Sequence, residues 1–368
     1  MSFEKPVVVI DNGSYTIKAG FACDNHPVSM FRTVVGRPSY LQGKYGREPY
    51  EVFIGDDAIT NMEDLELSRP MQNGRIVHWD NMERIWHHVF YKELKVAPED
   101  RAVILACSVT TPLEEKIKSC EVFFETLNAL ALCVQPQAVL ALYGVGHTTG
   151  LCVDIGHDTT SINPVYEGGL IQYAQMQTNF AGDQVSSILK EALQDRDYDF
   201  GIKSEAIIDD IKRKLYVTPD CAMTRWDYQR KLTLPSGEEL DVSQEAFMTG
   251  EMFFQPDLIV GKKTNYMSLQ EAVVTSALKC DTELRLELYD TIVSCGGLAM
   301  VPGLPERLAE EVQNMTQKPV NVLSSPESYV TIWLGGATFA GLADSKKMWV
   351  NKKQYEEYGA KIIRNKFM

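Results

Sequence analysis

One short pattern occurs twice in the 368-residue chain, and it limits the fold more than any other feature. Val7-Val8-Val9-Ile10 is a β-branched run of the kind found in buried strands. Asp11-Asn12-Gly13-Ser14 follows as a turn, and Thr16-Ile17-Lys18-Ala19-Gly20-Phe21 returns as a second strand. Far downstream, Gly150-Leu151-Cys152-Val153 runs into Asp154-Ile155-Gly156-His157-Asp158-Thr159-Thr160 and returns as Ser161-Ile162-Asn163-Pro164-Val165-Tyr166. Both read apolar run, then Asp-x-Gly-x-x-Thr, with Asp11, Gly13 and Thr16 matched by Asp154, Gly156 and Thr159. The aspartates lie 143 positions apart, too far for a solenoid repeat. The pattern therefore predicts two similar domains that each open with the same hairpin, within the two to three that this length allows.

Helical patterns separate the strands, which predicts an α/β chain. Met82, Ile85, Trp86, Val89 and Phe90 form an apolar stripe behind Asp80, with Asp80 and Glu83 at capping-box spacing. Thr111-Pro112-Leu113-Glu114 reads as a helix start, with Thr as cap and Pro at the first position. Further helices are expected over 135–143, 184–193, 204–215 and 305–315. Thr291-Ile292-Val293-Ser294-Cys295 is a strand running into Gly296-Gly297, a turn whose backbone amides can approach a ligand. Residues 39–52, 228–241 and 260–267 read as polar loops. Asp209-Asp210 reads as part of an exposed helix face.

Composition excludes several functions. With 36 Lys+Arg against 50 Asp+Glu, the net charge is −14, and no basic stripe is present to follow a nucleic-acid backbone. No run of eighteen apolar residues is present to span a membrane. The eight cysteines form no CxxC pair and sit mostly in apolar runs, so free buried thiols in a reducing compartment are expected. The opening residues lack the apolar core of a secretory signal. The expected setting is the cytosol or the nucleus. The six histidines have no HExxH spacing, and there is no Gly-x-Ser-x-Gly elbow, P-loop or dinucleotide fingerprint.

The two hairpins do suggest one chemistry. Facing each other, they would clamp a polyphosphate: backbone amides and the Ser14 hydroxyl would donate to phosphate oxygens, and Lys18 would add a cation. Asp11 and Asp154 would act through a partly hydrated divalent cation such as Mg²⁺.

Longer stretches carry a resemblance. VVVIDNGSYTIKAGFACD resembles the opening hairpin of the actin and actin-related family. So do VVGRP at 34–38, WDNMERIWHHVFYKELKVAPED at 79–100, QAVLALYGVGHTTG at 137–150, FQPDLI at 254–259, SCGGLAMVPG at 294–303 and IWLGG at 332–336. The resemblance implies two related α/β domains of the actin/hexokinase, ribonuclease H-like type around a nucleotide cleft, each with an inserted subdomain. The first large domain would comprise 1–32, 70–144 and 333–368, with 33–69 as its small insertion. The second would comprise 145–180 and 266–332, with 181–265 as its insertion.

The resemblance also implies ATP or ADP with Mg²⁺ or Ca²⁺ and slow hydrolysis. By position, Gly13, Ser14, Tyr15 and Lys18 would hold the phosphates, with Gly156, His157 and Asp158 of the second hairpin. Asp11, Gln137 and Asp154 would order the metal waters and the attacking water. Gly182, Lys212, Arg213, Gly296, Gly297, Leu298, Val301 and Tyr329 would border the nucleoside. Tyr143, Gly146, Thr148, Gly168, Leu334 and Met348 match the groove where actin receives amphipathic helices of protein partners. Actin itself or a second copy of the chain are further candidate partners.

The departures are specific. Tyr15 stands where actin has glycine, so its ring must find a rotamer that clears the phosphate. His157 and Asp158 replace an aspartate and a glycine. Ser161 stands where actin has a histidine that helps to position water. Arg213 replaces a glutamate at the ribose, and Val301 and Tyr329 replace a tyrosine and a lysine at the adenine. The apolar plug of actin becomes a segment centred on Lys262-Lys263, and the loop at 40–50 keeps its length but not its residues. Because Asp11, Lys18, Gln137 and Asp154 all remain, ATP binding is expected, while the changes predict slow or absent hydrolysis and altered polymerisation, in an actin-like cytoskeletal or assembly-scaffold protein. A divergent filament-forming actin and a small-molecule kinase of the same superfamily are the alternatives.

Overall fold

The computed structural model describes residues 3–38, 51–198, 201, 204–218, 229–234, 237–258 and 266–367. The chain divides into two compact units, Met1–His147 with Val330–Met368, and Thr148–Tyr329.

The first unit is built on a six-stranded sheet. Its order is Val350–Asn351, Ala131–Pro136, Ala102–Cys107, Val8–Asn12, Thr16–Phe21 and Ser29–Arg32. The central strands are covered on both faces, which is why they read as continuous apolar runs. Val8 and Ile10 point into a core with Trp86, Phe90 and Phe123. Val9 points the other way, toward the helix Thr331–Gly341, where Trp333 Nε1 donates to its carbonyl at 3.1 Å. That helix packs on Gln137–Gly144 at backbone contact: a Cβ on Gly335 would lie 1.6 Å from the Leu140 carbonyl oxygen, and one on Gly144 would lie 2.3 Å from that of Thr331. Val35–Pro38, Phe53–Ile54 and Leu65–Ser68 form a separate three-stranded sheet.

The second unit repeats the connectivity. Gly150–Ile155 pairs antiparallel with Thr160–Tyr166 on one side and parallel with Ile292–Cys295 on the other, and Val322–Leu323 pairs parallel beyond that. In the first unit Val8–Asn12 has the antiparallel Thr16–Phe21 and the parallel Ala102–Cys107, followed by the parallel Ala131–Pro136. The register repeats as well: Asp11 lies opposite Lys18, and Asp154 opposite Ser161. The core of this unit lies between the sheet and helices that include Gly182–Gln194, Ser204–Lys212, Leu269–Lys279 and Leu304–Thr316.

Several sequence expectations are corrected. The helix expected behind Asp80 starts at Trp79 with His78 as its cap, and the Asp80/Glu83 box does not form. Pro112 is itself the cap of Leu113–Glu121, because its extended ψ of 161° ends the preceding chain. Gln135 belongs to a strand, and the helix begins at Gln137. Within the supposed loop at 228–241, Lys231–Thr233 pairs with Glu239–Asp241, burying Leu232 and Leu240. Asp209 is buried, not exposed, and lies 3.3 Å from Lys212 Nζ. Cys107, Cys120, Cys133, Cys152, Cys280 and Cys295 are buried free thiols, but Cys23 is exposed. Burial pushes the Cys107 thiol up to about 11. The loop at 40–50 and plug residues 259–265 lie outside the described residues.

Candidate functional site: two aspartate hairpins

The first hairpin places three of the expected residues in one hydrogen-bonded group. Lys18 Nζ donates to Asp11 Oδ2 at 2.8 Å, and Gln137 Nε2 donates to Asp11 Oδ1 at 2.9 Å. The Asp11 side chain is 2% exposed, and the ladder puts it beside Lys18 on the neighbouring strand. Gln137 arrives from elsewhere. Pro136 ends the Ala131–Pro136 strand, and Gln137 is the first residue of the helix that follows, at the same end of the sheet. The glycine contact with Thr331–Gly341 fixes that helix, and so fixes Gln137.

The turn itself is tight. A Cβ on Gly13 would meet the Thr16 carbonyl oxygen at 2.5 Å, which explains why the motif needs glycine there. Thr33 closes the tip from the side: its Oγ1 donates to the Gly13 carbonyl at 2.7 Å, and its amide donates to the Tyr15 carbonyl at 2.8 Å. Behind the hairpin, Trp86 Nε1 donates to Asn12 Oδ1 at 3.1 Å. Ser14 is half-buried.

The second hairpin makes the same turn. The Gly156 amide donates to the Thr159 carbonyl at 3.1 Å, and a Cβ on Gly156 would lie 3.1 Å from that oxygen. The N-terminus of Gly182–Gln194 packs directly on it. The Gly182 amide donates to the Gly156 carbonyl at 3.1 Å, and the Asp183 amide to the His157 carbonyl at 2.7 Å. A thirteen-residue helix thus begins at the turn, which favours negative charge nearby. His157 Nε2 stands 3.9 Å from Asp158 Oδ1. Gly296, at φ +96°, brings the parallel strand's turn against Asp154: a Cβ there would meet Asp154 Oδ1 at 2.6 Å and the Ile155 carbonyl oxygen at 2.5 Å. Gly297 faces open space. Ser161, opposite Asp154, accepts from Asn163 Nδ2 at 2.9 Å.

The remaining expected residues are spread more widely. Lys212 Nζ donates to Ser186 Oγ at 3.0 Å, within the second unit. Arg213 is exposed and pairs with Asp210. Leu298 and Val301 are buried in the loop after Gly296-Gly297, and Tyr329 is half-buried. The Val217 amide donates to the Pro302 carbonyl at 2.9 Å, which ties the end of the Lys212 segment to the Val301 loop. The groove residues divide between the units. Tyr143, Gly146, Leu334 and Met348 belong to the first, with the Tyr143 ring 5.5 Å from Phe339. Thr148 and Gly168 belong to the second, joined by a 2.8 Å backbone hydrogen bond.

Sequence reasoning missed Thr33, Arg32 and Arg69. Arg32 reaches the first hairpin from the neighbouring strand Ser29–Arg32, and Thr33 and Arg69 reach it from the two ends of the 33–69 segment. The one available signal was Tyr15, a bulky ring in a turn, which requires partners somewhere.

Among the described residues, no cluster of three or more His, Cys, Asp or Glu side chains is arranged to hold a metal ion. Each Asp11 oxygen accepts one of the Lys18 and Gln137 hydrogen bonds and keeps a second lone pair that a water molecule or a cation could use. Within the first unit, the Asp11 carboxylate with the Gln137 amide beside it is the kind of oxygen donor set that suits a hard, partly hydrated cation bound through water.

Each unit is a mixed α/β unit whose sheet carries an Asp-x-Gly hairpin, its first strand antiparallel to one neighbour and parallel to the other. The family model described as Actin matches residues 2–368, and the chain belongs to the actin family. No helix among the described residues is long and apolar enough to cross a membrane.

Proposed function

We propose that this chain is an ATP-binding, actin-like assembly component whose nucleotide is held between the hairpins of Asp11 and Asp154. The observation that carries the reading is the Asp11 carboxylate held between Lys18 and Gln137, with Asp154 at the same register in the second unit. Lys18, paired with Asp11, would supply a cation, and Ser14 and the Asp158 segment would supply polar groups for phosphate. A divalent cation, when bound, would supply positive charge to the phosphates. Asp11, Gln137 and Asp154 would hold it through water. In this reading 33–69 and 181–265 are the inserted subdomains, and the Tyr143 to Met348 set is the docking surface for partner helices. The cytoplasm is its setting.

Calorimetry on the folded full chain should give a Kd for MgATP of about 1 μM or below. A folded protein that releases no heat with MgATP would rule the reading out. Phosphate release from the same sample should be slower than in conventional actin, because Ser161, committed to Asn163, replaces the imidazole that resemblance places beside the water.

Polymerisation should differ from actin's. Lys262-Lys263 in the plug would each have to be paired or desolvated at a filament contact, at a cost of several kcal/mol if unpaired. Centrifugation with MgATP under actin's polymerising conditions should leave the protein in the supernatant; abundant two-stranded filaments in the pellet would contradict this.

A further inference from the structure

Tyr15 lies at the tip of the first hairpin, between Ser14 and Thr16, and its ring is engaged by two guanidinium groups. Arg32 Cζ stands 4.4 Å from the ring centroid and Arg69 Cζ 5.2 Å, and Arg32 also donates a hydrogen bond to the Tyr15 hydroxyl. Both arginines come from fixed backbone. Arg32 is the ladder partner of Thr16, one residue from Tyr15. Arg69 directly follows Leu65–Ser68, whose Ser68 pairs with Val35, and the next carbonyl, of Pro70, accepts from the Val77 and His78 amides. The two side chains therefore reach the ring from the two points where the chain enters and leaves the 33–69 segment.

A tyrosine in a phosphate-binding turn has rotamers that would lay its ring over the amides the ligand needs. Contact with two guanidinium groups, one of which also bonds the hydroxyl, selects a single alternative. Arginine suits this task better than lysine because its planar fork can stack and donate together.

We propose that Arg32 and Arg69 are positioning residues that hold the Tyr15 ring off the phosphate-binding face of the hairpin. They thereby allow a bulky side chain at a turn position where glycine would otherwise be required. This inference rests on the ATP reading above.

The test is a double-mutant cycle on the full chain, with MgATP affinity measured by calorimetry and folding checked by thermal melting. The members are wild type, Arg32→Ala/Arg69→Ala, Tyr15→Gly and the triple variant. Removing the arginines should weaken MgATP by about tenfold or more when Tyr15 is present, and by about twofold or less in the Tyr15→Gly background. An equal loss in both backgrounds would mean that the arginines act through their own charge, and would overturn the proposal. So would no loss in either. Should the alanine pair fail to fold, Arg32→Lys/Arg69→Lys keeps the charge but loses the planar fork, and should show the same dependence on Tyr15. Absence of MgATP binding by folded wild-type protein is a separate result, seen before any substitution, and would overturn the ATP reading and this proposal with it.

Discussion

Gly335→Ala is expected to destabilise the first unit by about 3 kcal/mol. The sign is the informative part. Alanine normally stabilises a helix relative to glycine, by roughly 0.5–1 kcal/mol. At Gly335 the added Cβ would sit 1.6 Å from the Leu140 carbonyl oxygen, 2.4 Å from its carbonyl carbon and 3.0 Å from the Gly144 nitrogen. All three are backbone atoms of the facing helix, and none can turn aside as a side-chain tip could. The helices Gln137–Gly144 and Thr331–Gly341 would have to separate, opening the dispersion contacts along their length. Gly341, in the same helix, is the control: a Cβ there meets nothing within 4 Å, so Gly341→Ala should be neutral or slightly stabilising. Urea unfolding of the two variants checks the contrast. A Gly335→Ala protein as stable as wild type would show that the helices do not touch in this way. The change should also disturb the site, since the displaced helix carries Gln137 and its bond to Asp11.

Arg307→Ala should cost the second unit about 3–5 kcal/mol. Arg307 is 1% exposed and its guanidinium makes four hydrogen bonds. It donates to Glu251 Oε1 at 2.8 Å and Oε2 at 3.2 Å, to Glu311 at 2.7 Å and to the Thr218 carbonyl at 3.2 Å, and it lies over the Phe254 ring. Removing it leaves the Glu251 carboxylate, itself buried, without its cation. The cost is that of stranding a charge rather than of losing a favourable pair. Replacing both partners with apolar residues of similar volume, Arg307→Met with Glu251→Met, should therefore recover much of the loss. Chemical denaturation of the single and double variants checks both statements. A single variant within about 1 kcal/mol of wild type would contradict the burial argument.

The parts of this molecule legible in its sequence are those governed by short-range rules. Asp-x-Gly-x-x-Thr is readable because the glycine faces the threonine carbonyl in both turns, at Gly13 and at Gly156. Continuous apolar runs marked the central strands because both their faces are covered. Helix ends were less readable. His78 caps a helix without a side-chain hydrogen bond, so the more suggestive Asp80 misled, and Gln135 sits in a strand although its neighbours look helical. The hairpin over 231–241 hid behind its charges, although Leu232 and Leu240 alternate with polar neighbours as strand residues should. Within the site, Asp11 and Lys18 were readable as strand neighbours. The approach of Gln137 rested on the family resemblance, since it depends on a helix packing that only the distant Gly335 allows. Of the Tyr15 partners, Arg32 is placed by the pairing of Ser29–Arg32 with Thr16–Phe21, whereas Arg69 depends on the path of the 33–69 segment and left no local trace.

The central claim is that both hairpins serve one nucleotide, and Asp154→Asn tests it most directly. The substitution keeps the size of the side chain beside Gly296 and removes only its charge. MgATP titrations of wild type and variant, each confirmed as folded, should show micromolar binding by the wild type and a loss of about tenfold or more in the variant. Equal MgATP affinity in the two proteins would contradict the account, because the second hairpin would then take no part in holding the nucleotide.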